Sequence, residues 1–240
     1  MTRQDVIFHY RKDNKTKKYH LDRFSTLGGK LVNRTENAII KGFFGKPMDN
    51  EKILDMGTGT GRVALWFQSE KVGVDSSIPM LKKAKRAGLD VVCSDVKCLP
   101  FRTATFSTII AVRVFIRVKS PLPVFKEVVR VLRNGGHFIF DTSNKYSIGY
   151  FINRFSQEPP HSMFSRNDMQ KYIQLAAFKI VNIQPSFIIP RGVYQKIDWS
   201  FIRKLWFIER LLLKTKLSQI ACTLFWQTNL AKNPIGIEDE

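Results

Sequence analysis

Ile53-Leu54-Asp55-Met56-Gly57-Thr58-Gly59-Thr60-Gly61-Arg62 decides the fold: an apolar run ends beside an acid, alternate glycines follow, and a helical pattern begins at Gly61. Glycine tolerates positive φ and lets a ligand approach the backbone closely, while a helix starting there offers unpaired N–H groups. In open α/β sheets, ligands bind beyond the carboxyl ends of the strands near the switch point. This first βα turn is therefore the expected cradle of a nucleotide-like cofactor. The dinucleotide fingerprint is G-x-G-x-x-G, and here the third glycine comes one residue early, with Arg62 in its place. Asp55 at the strand tip would repel a pyrophosphate but suits a cationic group.

Outward from this turn, short β-rich runs alternate with helical stretches, the pattern of βαβ units. Strands are expected at 52–56, 71–75, 91–93, 108–114 and 137–141, with helices at 61–70, 78–87 and 122–132, the last closed by Asn134-Gly135-Gly136. Beyond Asp141 the pattern loosens, and a lid or insert is expected at about 143–177, with Ser165-Arg166-Asn167-Asp168 as a capping box that starts a helix. A strand at 178–189, an amphipathic helix at 198–216 and a last strand at 221–230 complete the reading. The fold expected is α/β, a doubly wound Rossmann-like sheet of seven strands, mostly parallel with an antiparallel last strand. Residues 1–46 form a basic N-terminal cap with a helical pattern at 31–44, and residues 47–240 form the cofactor-binding domain.

The D-x-G-x-G-x-G arrangement resembles motif I of the class I S-adenosylmethionine-dependent methyltransferases. The segments Val92 to Phe101, Phe106 to Val118 and Arg130 to Gly136 are similar to the type 11 subfamily that includes the ubiquinone and menaquinone methyltransferases. The resemblance covers residues 50–145 well. It implies S-adenosyl-L-methionine as cofactor, held by Asp55, Gly57, Thr58, Gly59 and Gly61 in the first turn, by Asp75 and Ser76 twenty residues further on, by Asp95 and Val96 after the third strand, and by Ala111 on the fourth. Asp75 stands where an acid reaches both ribose hydroxyls, and Asp95 resembles the acid that contacts adenine. The chain departs from the family in having Ser107 where Asp follows Phe, and Arg117 where His is frequent, so no histidine carries over at that position. Arg113 and Arg117 suit an anionic acceptor, and His161 ahead of the 165–177 helix is the candidate general base.

Composition bounds the acceptor. There are 39 basic against 20 acidic residues, a formal charge of +19, so anionic partners accumulate near the protein. Residues 1–46 alone carry 11 Lys and Arg against 4 Asp and Glu. Methylation of nucleobase amines is disfavoured, because Ala111-Val112-Arg113-Val114 stands where Asn or Asp with Pro-Pro-aromatic is usual. In the 198–216 helix, Trp199, Phe201, Ile202, Leu205, Trp206, Ile208, Leu212 and Leu213 form a broad apolar arc, and Arg203, Arg210 and Lys214 gather on one narrow face. Such a helix either rests on an anionic bilayer, which suits a lipid or quinone-type acceptor for O- or C-methylation, or is a lid or dimer helix packed on the sheet with its arginines in solvent. RNA as acceptor and a non-catalytic nucleotide-binding protein are the alternatives. No secretory signal is expected from residues 1–10, no run reaches the ~18 apolar residues of a membrane span, and no metal site is expected. Cys93, Cys98 and Cys222 read as reduced thiols, so the expected location is cytoplasmic, with peripheral contact at a membrane.

Overall fold

The structure, a computed structural model, describes residues 25–45, 51–153, 162–194 and 199–231. Helix α1 (Leu27–Phe44) is followed by β1 (Lys52–Met56), β2 (Glu70–Asp75), α2 (Ile78–Arg86), β3 (Asp90–Cys93), β4 (Phe106–Ala111), α3 (Leu122–Val131) and β5 (Leu132–Ser143). Then come α4 (Ile148–Asn153), α5 (Arg166–Leu175), β6 (Phe178–Ser186), α6 (Arg191–Tyr194), α7 (Trp199–Leu212) and β7 (Thr223–Leu230). The strands form one seven-stranded sheet of order β3-β2-β1-β4-β5-β7-β6. Pairs from β3 to β5 are parallel, and β7 runs antiparallel to both β5 and β6. The doubly wound, mostly parallel sheet read from the sequence is the one found, with the order reversing between β1 and β4.

Successive side chains on a strand point to opposite faces, and the core divides accordingly. Leu54, Ile109, Phe138 and Phe140 face one side, where Val124, Phe125 and Val128 of α3 and Met169 and Ile173 of α5 cover them. Ile53, Ile110, Ile139 and Phe225 face the other, beneath Ile39, Ile40 and Phe43 of α1. Thr26 caps α1 by accepting from the Gly29 amide, and Ser165 caps α5 by accepting from Asp168. At Gly28 an added Cβ would lie 1.7 Å from the Tyr194 carbonyl oxygen, so the missing side chain lets α1 press directly on α6.

Several boundaries differ from the sequence reading. The 61–70 helix is reduced to a 3₁₀ turn at Ala64–Trp66. Gly61 at φ 82 cannot continue a right-handed helix, and the face that helix would cover already belongs to α1, which packs with Val63 and Phe67. Strand β4 stops at Ala111 rather than Val114, because Arg113 turns the chain at φ 63 and its amide donates to Asp141 at 2.5 Å. Asn134-Gly135-Gly136 lies inside β5 instead of ending a helix. Strand β6 ends at Ser186, before the left-handed Phe187, and the unexpected α6 follows Pro190. The last long helix is Trp199–Leu212, its expected first residue Asp198 lying outside the described residues, and a 3₁₀ turn, Lys216–Ile220, follows it.

Candidate cofactor site

The loop between β1 and α1's contact residues is left-handed at each glycine, with φ 73 at Gly57, 56 at Gly59 and 82 at Gly61. It is braced from below. Asp55, buried at the tip of β1, accepts from the Thr58 hydroxyl at 2.6 Å and from the Ala64 amide at 3.2 Å. Burial drives its carboxyl up to about 6 against the opposing pull of those two bonds and of Arg62. Across the loop, Asp75 at the tip of β2 accepts from the Gly59 amide at 2.9 Å and from the Ser77 amide at 2.8 Å. Ser76 contributes a further backbone bond to the same carboxylate. Burial raises Asp75 as well, and these three amides oppose it. Each oxygen keeps acceptor capacity beyond its amide bond, as two hydroxyls of a ribose require.

A Cβ built on Gly59 meets no atom within 4 Å, so the space above the loop is open where a cofactor would lie. The other expected positions border the same end of the sheet. Asp95 is exposed after β3 and accepts from the Lys97 amide at 3.0 Å, Val96 is half-buried beside it, and Ala111 ends β4 next to β1 with no exposure. Gly57, Thr58, Asp55, Asp75 and Ala111 thus converge at the carboxyl edge where strand order reverses. The set of acceptors fits a cationic adenosyl cofactor better than a pyrophosphate, because the carboxylates of Asp55 and Asp75 flank the glycine loop.

Arg113 has a different place from the one expected. Its guanidinium donates to Glu36 of α1 at 2.7 Å, so it is committed to an ion pair rather than offered as an acceptor clamp. Glu36 is fully buried and also meets Arg62 at 3.0 Å and Arg191 at 2.7 Å. Burial alone would raise this carboxyl, but Arg113, then Arg62 and Arg191, outweigh it and hold Glu36 at about 2. Arg191 stands 3.8 Å from Asp141, which burial raises and Arg191 opposes. This cluster joins α1, the residue after the glycine loop, the turn after β4, the end of β5 and α6. Sequence reasoning missed Glu36, whose signal was a lone acid in the apolar helical pattern of 31–44. Arg117 is half-buried in a 3₁₀ turn, Phe115–Arg117. His161 lies outside the described residues, but the neighbouring Ser162 amide donates to the Ile116 carbonyl at 2.9 Å, so the insert returns to the turn after β4.

Residues 54–140 match the family described as the methyltransferase domain. An uncharacterised protein of Methanocaldococcus jannaschii is 30% identical over 148 residues, which cover 60% of this chain and 58% of that one. A malonyl-[acyl-carrier protein] O-methyltransferase of Marinomonas is 32% identical over 107 residues, 40% of this chain and 39% of the relative. The matches thus span about half the length of these relatives. Among solved structures, an S-adenosylmethionine-dependent methyltransferase of Thermotoga maritima superposes with a TM-score of 0.63 at 18% identity, over 93% of this chain and 98% of that one. A phosphoethanolamine N-methyltransferase of Haemonchus contortus gives 0.65 at 16% identity, over 92% and 58%. At these identities the structures establish the fold.

Proposed function

From the premise that this chain carries a class I methyltransferase domain of the type 11 family, whose cofactor is S-adenosyl-L-methionine, we propose that the whole protein transfers a methyl group to a small-molecule or lipid-like acceptor. The carrying observation is the glycine loop itself: open above Gly59, tied to Asp75 through the Gly59 amide, and braced by Asp55 through Thr58. Asp75 would hold the ribose hydroxyls, Asp95 and Val96 the adenine, and the loop with Ala111 the remainder. The cofactor supplies a methyl made electrophilic by its sulfonium. What remains for the protein is alignment in a water-poor pocket, the main source of rate in an in-line displacement. An acceptor already ionised at oxygen, or nucleophilic at carbon, needs no strong base, which accords with O- or C-methylation. His161 is the proposed base for a neutral hydroxyl, and Arg117 the proposed contact for an acceptor anion. The Marinomonas relative, by its name, methylates an oxygen of a carrier-bound acid, and this supports the O-methyl reading.

No helix among the described residues is long and apolar enough to cross a membrane. We place the protein in the cytoplasm, in peripheral contact with lipid. Calorimetry with S-adenosylmethionine, S-adenosylhomocysteine and NAD tests the cofactor: the first two are expected to bind and NAD to fail. Asp75→Ala is expected to weaken cofactor binding at least tenfold, since two charge-assisted bonds contribute ~1.5–3 kcal/mol each. The same change also strands the Gly59 and Ser77 amides and costs some stability. Wild-type affinity in Asp75→Ala would refute the assignment.

A further inference from the structure

We propose that the outward face of α7 is a docking surface for an anionic lipid bilayer. The helix has two apolar faces. One turns inward with Ile202, and its lone acid, Glu209, is buried there, accepting from the Ile189 amide at 2.8 Å and from the Tyr194 hydroxyl. The other turns to solvent. Phe201 is 63% exposed, Phe207 62%, Ile208 51% and Leu211 51%, far more apolar surface than one helix ordinarily leaves open in water. At 100° per residue these four side chains share one arc, with Lys204 in its middle and Arg203 and Arg210 along its border, and Lys214 follows in the turn after the helix. All four basic residues are exposed. The Arg210 guanidinium lies 4.8 Å over the Trp206 ring, and Arg203, Lys204, Phe207 and Ile208 line a shallow depression on the arc.

Charge complementarity selects the occupant. Because Glu209 points inward, this face carries cations and apolar side chains and no acid, the composition that lies in a bilayer interface with its rings among acyl chains and its cations at anionic headgroups. A second copy would set the same four cations against themselves in a protein already at +19. A nucleic acid would engage the cations but leave Phe207, Ile208 and Leu211 in water. The inward side of the same helix is tied to the cluster behind the cofactor loop, since Glu209 holds Tyr194 of α6, whose Arg191 enters the Glu36 cluster. The proposal rests on the methyltransferase reading only for its use, delivery of a lipid-borne acceptor.

Co-sedimentation of the full chain with phosphatidylcholine vesicles, with and without phosphatidylglycerol, tests it. Binding is expected only with phosphatidylglycerol, weakening as salt shortens screening to ~8 Å at physiological ionic strength. Two variants of exposed residues, R203E/R210E/K214E and F207S/I208S/L211S, are each expected to lose binding, the first by roughly a hundredfold or more on the per-residue headgroup attraction. Their calorimetric affinity for S-adenosylmethionine is expected to match the wild type, which also reports that they fold. If the wild type binds vesicles but no S-adenosylmethionine, the methyltransferase reading fails and this surface stands. Absence of binding to anionic vesicles overturns the proposal, as does equal binding by either variant. Two further outcomes overturn it: RNA retention that the charge reversal abolishes and the serine variant keeps, without vesicle binding, and a dimer in sedimentation velocity that the serine variant dissolves.

Discussion

Asp55 and Asp75 both lie at the carboxyl ends of neighbouring strands, yet they make different contacts. Asp75 presents a carboxylate edge beside the open space over Gly59, whereas Asp55 lies under the loop and ties Thr58 to Ala64. The spacing of the two acids was legible in the sequence, but the bracing of the loop by Asp55 through Thr58 and Ala64 was not, because that depends on the path of the three left-handed glycines. Burial gives Asp55 a further consequence. Its folded value, about 6, lies above the ordinary 3.8, because burial disfavours the charged form. Burial of the charge therefore costs stability above about pH 6, and this cost fades as pH falls toward 3.8. A cationic cofactor reverses that preference. Binding near pH 6 is expected to release a proton, and affinity to fall as pH drops below 6; calorimetry in buffers of different ionisation enthalpy reads both. Absence of any proton release between about pH 5 and 7 would show that Asp55 does not respond to the cofactor's charge.

At the scale of elements, α1 takes the place expected for a helix after the glycine loop. Its apolar face covers Ile53, Ile110 and Ile139, and Glu36 pins it to the turns around the site. Loss of that charge leaves three arginines clustered without their shared partner. Glu36→Gln is expected to destabilise the fold by ~3–5 kcal/mol, as removal of one partner from a buried ion pair does. Because Glu36 titrates at about 2 instead of 4.5, its contribution is complete above about pH 4.5 and is lost as pH falls toward 2. Acid unfolding of the wild type over that window, and a much flatter profile in Glu36→Gln, are the expected results of denaturant titrations. A cost under about 1 kcal/mol would mean that the arginines find other partners.

On the scale of the whole molecule, the cofactor loop, the turn after β4 and the end of β5 are all clamped by one buried cluster, so ligand binding acts on the global fold. S-adenosylhomocysteine at a hundred times its Kd is expected to add ~2.7 kcal/mol to stability. For a chain of this size that raises the melting temperature by roughly 5–10 °C. NAD at the same concentration should leave it unchanged, and a shift with NAD alone would point to a dinucleotide site. The charge of +19 belongs to this scale too, since it draws the protein toward anionic surfaces without deciding which surface docks.

Alternating hydrophobicity, the glycine loop and the acids twenty residues apart determined the sheet, its parallel direction and the cofactor edge, because these are local patterns of period two and of turn chemistry. The strand order and the antiparallel β7 completed a picture already implied by them. Three things only the tertiary structure decided. Glu36, Arg62, Arg113 and Arg191 are up to 155 residues apart in the chain, and only packing of α1 against the sheet edge makes them one ion cluster. Arg113 read as a clamp for an acceptor because periodicity cannot see a partner 77 residues upstream. And whether the apolar arc of α7 meets a bilayer or packs on the sheet was open in the sequence, whereas the structure buries Ile202 and leaves the other side of the helix uncovered. Which side of a helix is covered depends on what the rest of the chain brings to it, and here Phe201, Phe207, Ile208 and Leu211 were left facing outward.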